Sequence, residues 1–266
     1  DRAAFQRMAQ RCAEESIVLL ENDGSLPLAS GSRVAVVDTG TDTAHQSMDS
    51  GAYLYALEQN AKAAGLSYEE YVADLDLLDA QEIASVIHLL KISELIPGVT
   101  ASQLYLNEKL PFAANYVDSN LIVDHQSAYQ GEHGSHVAGI TAANRYIPSG
   151  SGYADALSTV YMAGVAPDAQ LAIMKVFPNE GGAKDSDILA ALEDCVILGV
   201  DVVNMSIGAQ NGFTYDESLE STVFGNMYKR MEAAGIVLCI AAGNEYSMAQ
   251  YSSLQINQVG YVGSEY

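Results

Sequence analysis

The sequence predicts an α/β fold: a three-layer, doubly wound and mostly parallel sheet, with a helical insertion after the first strand and an incomplete C-terminus. Two observations carry this. The apolar runs in "SRVAVVDTG", "AQLAIMKVF", "GVDVVNMSIG" and "IVLCIAAGN" are continuous rather than alternating, as strands are when both faces are buried. Helix-length segments separate the last three, and strands joined in this way form βαβ units with right-handed crossovers. With 266 residues and 49% hydrophobic content, the chain has enough apolar side chains for a substantial core.

Residues 1–32 read as a helix and connector. Phe5, Met8, Ala9, Cys12 and Leu19 recur at helical spacing, and the pattern stops at Asn22-Asp23-Gly24, where glycine can take the left-handed cap. "SRVAVVDTG" then forms a buried parallel strand emptying into a glycine turn after Asp38. Residues 51–110 form the helical insertion: "SYEE" (Ser67 with Glu70) and "DAQE" (Asp79 with Glu82) are capping boxes, and no strand pattern interrupts them. After it, "GEHGSHVAGI" opens a helix. A strand (169–177), a helix (185–198), a strand ending at Ser206-Ile207-Gly208, a helix (217–235) and a strand ending at Asn244 follow. In a parallel sheet these strand ends share one rim, where ligand and catalytic groups gather.

Charge and cysteine usage exclude several classes. Thirty-four acidic against twelve basic residues give a net charge of -22, which repels phosphate backbones and anionic lipid surfaces, so no nucleic acid partner is expected. Cys12, Cys195 and Cys239 are too scattered for a disulfide framework or a metal clip and read as small buried hydrophobes. No apolar run approaches the roughly twenty residues of a membrane span. The chain opens "DRAAFQRMAQ", with neither an initiator methionine nor a signal-peptide pattern, and reads as an excised piece.

Three polar residues at the rim suggest chemistry together that none suggests alone. An Asp at a strand end often bonds only its own turn. HxxH, His133 and His136 here, could be a zinc pair. A third ligand is missing, because His45, His88 and His125 lie in unrelated segments, and His88 reads as a partly buried helix residue. Asp38 to orient an imidazole, His133 as general base and Asn244 as oxyanion donor make three of the four parts of a serine hydrolase.

"VAVVDTGTD", "HGSHVAGI", "GVAPDAQLAIMKVF", "DVVNMSIG" and "IVLCIAAGN" resemble the consecutive blocks of the subtilisin-like serine peptidases, over roughly residues 33–246. The long segment between Asp38 and His133, with "KLPFAANYVDSN" before the histidine block, resembles the lactocepin-like cell-envelope group of Gram-positive bacteria. This resemblance implies that residues 33–266 are a partial catalytic domain acting on polypeptides, outside the cell or at its envelope. Asp38 would accept a hydrogen bond from the Nδ1–H of His133, at roughly 2.7 to 3.2 Å. His133 would shuttle the nucleophile's proton, and His136 would be structural. Asn244 would donate to the oxyanion. Ser206, Ile207 and Gly208 would pair with an extended substrate, and Ala241, Ala242 and Gly243 would line the pocket for the residue before the scissile bond.

The resemblance also implies a nucleophile in a "GTSMA"-like helix start well downstream of the oxyanion Asn, and the 266 residues contain no such block. "YSMA" mimics it, yet Ser247 lies too close to Asn244 for the two to reach one oxyanion from separate corners. The nucleophile is expected to be absent from these residues, which alone would be inactive. The family often carries structural calcium; "DTGTD" and Asp49 offer carboxylates, but no complete oxygen cage is visible, so neither metal ligands nor cofactors are assigned. Two other readings stay open. One is a catalytically silent peptide-binding module using the "NMSIG" edge. The other is an accessory domain of a glycoside hydrolase, since residues 1–37 resemble the start of the C-terminal domain of family-three glycoside hydrolases.

Overall fold

The computed structural model describes residues 30–124, 132–207 and 223–241. The expected first helix lies outside them. β1 (Arg33–Asp38) is buried along all six residues, which the run of small and β-branched side chains permits on both faces. It pairs in parallel with β5 (Gln170–Lys175) and β6 (Val202–Met205). β2 (Phe112–Asn115) joins the outer side of β5, and β7 (Val237–Ile240) the outer side of β6, giving the order β2-β5-β1-β6-β7.

Side-chain alternation divides the core into two. Ala35 and Val37 of β1 face a cluster with Ala172 and Met174 of β5, Val203 and Met205 of β6, and residues of several helices. Those helices include α3 (Ala80–Val86), α4 (Lys91–Leu95), α5 (Ala101–Leu104), α8 (Asp185–Ile197) and α9 (Phe224–Ala233). Val34 and Val36 point the other way, onto Ala138 and Ala142 of α6 (His133–Ala142). The result is the three-layer α/β arrangement, mostly parallel, with helices on both faces. Asp38 shares parity with Val34 and Val36, so its carboxylate leaves the strand on the α6 side. That parity positions the site.

The long connection from β1 to β2 carries α1 (Ser50–Ala64), α2 (Tyr68–Ala73), α3, α4 and α5. Ile83, Leu90, Ile92, Ala101 and Leu104 from it enter the same core cluster as the sheet, so the segment forms part of one layer. Ser67 and Glu70 form a reciprocal capping box at α2. Asp79 caps α3 as expected, but Glu82 does not close the second half. Its carboxylate is taken by the Arg33 guanidinium, at 2.7 and 2.9 Å.

Some elements were not legible beforehand. β2, the antiparallel hairpin of β3 (Tyr146–Ser149) and β4 (Gly152–Asp155), and the helix α7 (Ala156–Thr159) that follows it are four-residue elements too short to carry a periodic pattern. Cys195 is buried as read, but Cys239 is exposed, on the strand that is outermost among the described residues, β7. His88 is exposed on a single 3-10 turn, Ile87–Leu89. Among the described residues, no helix is long and apolar enough to cross a membrane.

Candidate active site

The site is built at the carboxyl end of β1. The ladder runs through Asp38, whose carbonyl still accepts from Val176 N–H. Gly40, at φ +108°, then turns the chain away, a backbone conformation that a residue with a Cβ would resist. The turn delivers residues 39–42 onto the first turn of α6. An α-helix begins with unpaired N–H groups, and the side chain of the N-cap residue Glu132 does not cap them. Thr39 supplies a cap instead, its Oγ1 accepting from Gly134 N–H at 3.0 Å. The Thr41 hydroxyl donates to the Gly134 carbonyl at 3.4 Å, and Ser135 Oγ accepts from Asp42 N–H at 2.8 Å.

These contacts place the His133 ring on the Asp38 carboxylate. Nδ1 and Oδ1 are 2.7 Å apart, across 95 residues of sequence. The same Oδ1 accepts from Thr39 N–H at 2.6 Å, and Asp38 Oδ2 is buried without a hydrogen-bond partner among the described residues. The carboxylate side chain is 2% exposed and the imidazole 51%. An ionised carboxylate can only accept, so Nδ1 is the donor, and in the neutral ring that tautomer leaves Nε2 with its lone pair. The arrangement holds an imidazole in one tautomer, with its basic nitrogen available to abstract a proton.

The other rim residues fall into place only in part. Ser206 follows β6 directly, with its hydroxyl donating to Asn204 Oδ1 at 2.9 Å, and Ile207 is buried in the core. Ala241 follows β7, is exposed, and donates its N–H to the Met205 carbonyl at 3.0 Å. All three lie just past the same ends of neighbouring parallel strands as Asp38. Gly208, Ala242, Gly243, Asn244 and Ser247 lie outside the described residues. His136 is exposed on α6. Among the described residues, no three His, Cys, Asp or Glu side chains gather to hold a metal ion.

Two residues of this corner escaped the sequence reading. Thr39 joins the turn to the helix, and Lys175, buried at the end of β5, donates Nζ to the Thr39 carbonyl at 2.9 Å. A lysine closing the apolar run "LAIM" is the signal that could have exposed the second, since buried lysines need partners.

A family model described as the subtilase family matches residues 29–264. The chain is 38% identical to the PI-type proteinase of Lactococcus lactis subsp. cremoris over 53% of its own length and 7% of that protein's. It is 40% identical to subtilisin-like protease SBT1.6 of Arabidopsis thaliana, over 42% of this chain and 14% of the relative. It is 30% identical to subtilisin E of Bacillus subtilis, over 62% of this chain and 36% of the relative. Each match therefore spans a minor part of the relative's length.

Proposed function

We propose, because this chain belongs to the subtilase family and is a serine peptidase domain of it, that Asp38 and His133 are its orienting carboxylate and its general base in the hydrolysis of polypeptides. The observation that carries this is the 2.7 Å contact between His133 Nδ1 and a buried Asp38 oxygen. Fixed by Asp38, the imidazole would take the proton of a serine hydroxyl at Nε2 as that oxygen attacks the scissile carbonyl. It would return the proton to the leaving amine, while the carboxylate stabilises the imidazolium formed between the two steps.

Asn244 would donate its side-chain N–H to the tetrahedral oxyanion, a contribution of about 3 to 4 kcal/mol. The backbone of Ser206, Ile207 and Gly208 would align an extended substrate, and Ala241, Ala242 and Gly243 would shape its pocket. The nucleophile is a serine other than Ser247, and the 266 residues by themselves do not cleave. The location proposed is outside the cell or at its envelope, following the lactocepin-like resemblance. An orienting carboxylate placed on an imidazole supports this reading over a glycosidase accessory domain. A fluorophosphonate probe incubated with the 266-residue chain is the test. No labelling is expected, and labelling at Ser247 would overturn this assignment of the nucleophile.

A further inference from the structure

On the far side of the Asp38 turn lies a charge that the acid–base pair does not use. Lys175 is 1% exposed, and the β5 register sets it beside both Asp38 and Asn115. A buried ammonium needs an acceptor, and this one uses the Thr39 carbonyl, at 2.9 Å. That carbonyl is the first one past the end of the ladder. Asp38 O is still held by Val176 N–H, and Gly40 then swings away at φ +108°. Lys175 thus supplies, by side chain, a donor to a carbonyl just past the end of β1.

What hangs on Thr39 is the pair itself. Its N–H donates to Asp38 Oδ1 at 2.6 Å, and its Oγ1 receives Gly134 N–H at 3.0 Å, one residue after His133. The next residues are held from the same side: Thr41 N–H donates to the Val123 carbonyl at 2.8 Å. That loop also carries Asp118 and Asp124, which favour the charged form of Lys175 against the burial that lowers its pKa.

We propose that Lys175 is a positioning residue for the Asp38–His133 pair, acting through the Thr39 carbonyl to fix the turn that presents one bond to the carboxylate and another to the helix of the imidazole. This rests on reading the pair as the acid–base unit, but its test does not need turnover. In protein labelled with ¹⁵N-histidine, the hydrogen-bonded Nδ1–H of His133 is observed by proton NMR and assigned with His133→Ala. Lys175→Met, which keeps the length of the side chain and removes the donor, is expected to stay folded and lose that resonance to solvent exchange. Arg33→Met removes a buried cation from the other end of β1, the strand of Asp38, and serves as the control: it is expected to lower stability and keep the resonance.

Retention of a wild-type resonance in folded Lys175→Met would overturn the proposal. Should that variant not fold, Lys175→Arg decides: a kept but shifted resonance supports the role, and a spectrum identical to wild type contradicts it. Failure to find peptidase activity would remove the functional reading and leave this result standing, because the signal reports the pair and not catalysis.

Discussion

A Cβ placed on Gly134 would run into the carbonyl oxygen of Gly40 and stand 3.0 Å from its carbonyl carbon. The helix bearing His133 therefore rests backbone to backbone on the turn bearing Asp38, and no flexible side chain is there to yield. Gly134→Ala must push the two apart. The expected cost is about 3 kcal/mol, the upper part of the overpacking range, with loss of the 2.7 Å contact. Urea unfolding reads the first and His133 NMR the second. A folded, fully stable Gly134→Ala protein would show that the helix start can slide.

Arg33 anchors the other end of β1. Its guanidinium meets Asp76 and Glu82 at 2.9 and 2.7 Å and donates to the buried Leu198 carbonyl at 2.9 Å. The two carboxylates reach water, at 95% and 41% exposure, while Arg33 does not. The partners should therefore respond unequally. Glu82→Gln is expected to cost below about 1 kcal/mol, as for other solvated pairs. Arg33→Met, which orphans a buried carbonyl, is expected to cost about 2 kcal/mol. Equal costs by urea unfolding would contradict this division.

Lys109 is fully buried, its Nζ donating to the carbonyls of Pro167 and Ala169 at 3.0 and 2.6 Å. Burial pulls its pKa from 10.5 down to about 7, with Asp168 opposing. The folded chain thus releases this proton before the unfolded chain does. Its destabilising effect is complete below about pH 7 and fades as pH rises toward 10.5. Wild-type stability relative to Lys109→Met should rise across that window, in denaturant unfolding at constant ionic strength. A flat or falling difference would contradict it.

Asp194 carries the opposite sign. Buried in α8, it accepts from Lys91 N–H at 2.6 Å and Ile92 N–H at 3.0 Å, and from the Tyr116 hydroxyl at 2.8 Å. Burial outweighs these bonds and raises its pKa from 3.8 to about 6. The folded state therefore holds the proton longer than the unfolded state. The contribution of Asp194 to stability should fall as pH rises from 3.8 to about 6. Asp194→Asn is expected to remove that slope, and an unchanged slope between those limits would argue against burial of the carboxyl group.

How far the sequence reveals all this depends on what each residue answers to. β1, β5 and β6 were legible because burial on both faces leaves an uninterrupted apolar run, and Asp38 stands out as the polar residue that ends one. His133 was legible through its glycine-flanked helix start. β2 was not, because "FAAN" is short and is made a strand by pairing with β5, a partner distant in sequence. Glu82 misled for a related reason: local spacing favours a capping box, and the distant Arg33 competes for the carboxylate more strongly. Thr39 and Lys175 were missed because their bonds join residues 95 and 136 positions apart, so local spacing does not name the partners, although the lysine ending "LAIM" signals that one is needed.

Whether His133, held by Asp38, activates a serine decides the function of this site. The most direct measurement is fluorophosphonate labelling and casein hydrolysis by the protein expressed from its full reading frame, wild type against His133→Ala. Wild type should cleave casein and be labelled at a serine other than Ser247, and His133→Ala should lose both, with turnover falling about ten-thousand-fold or more. Labelling and hydrolysis that survive in His133→Ala would contradict the assignment, and a wild-type protein that binds peptides but neither labels nor cleaves would make this a peptide-binding module instead.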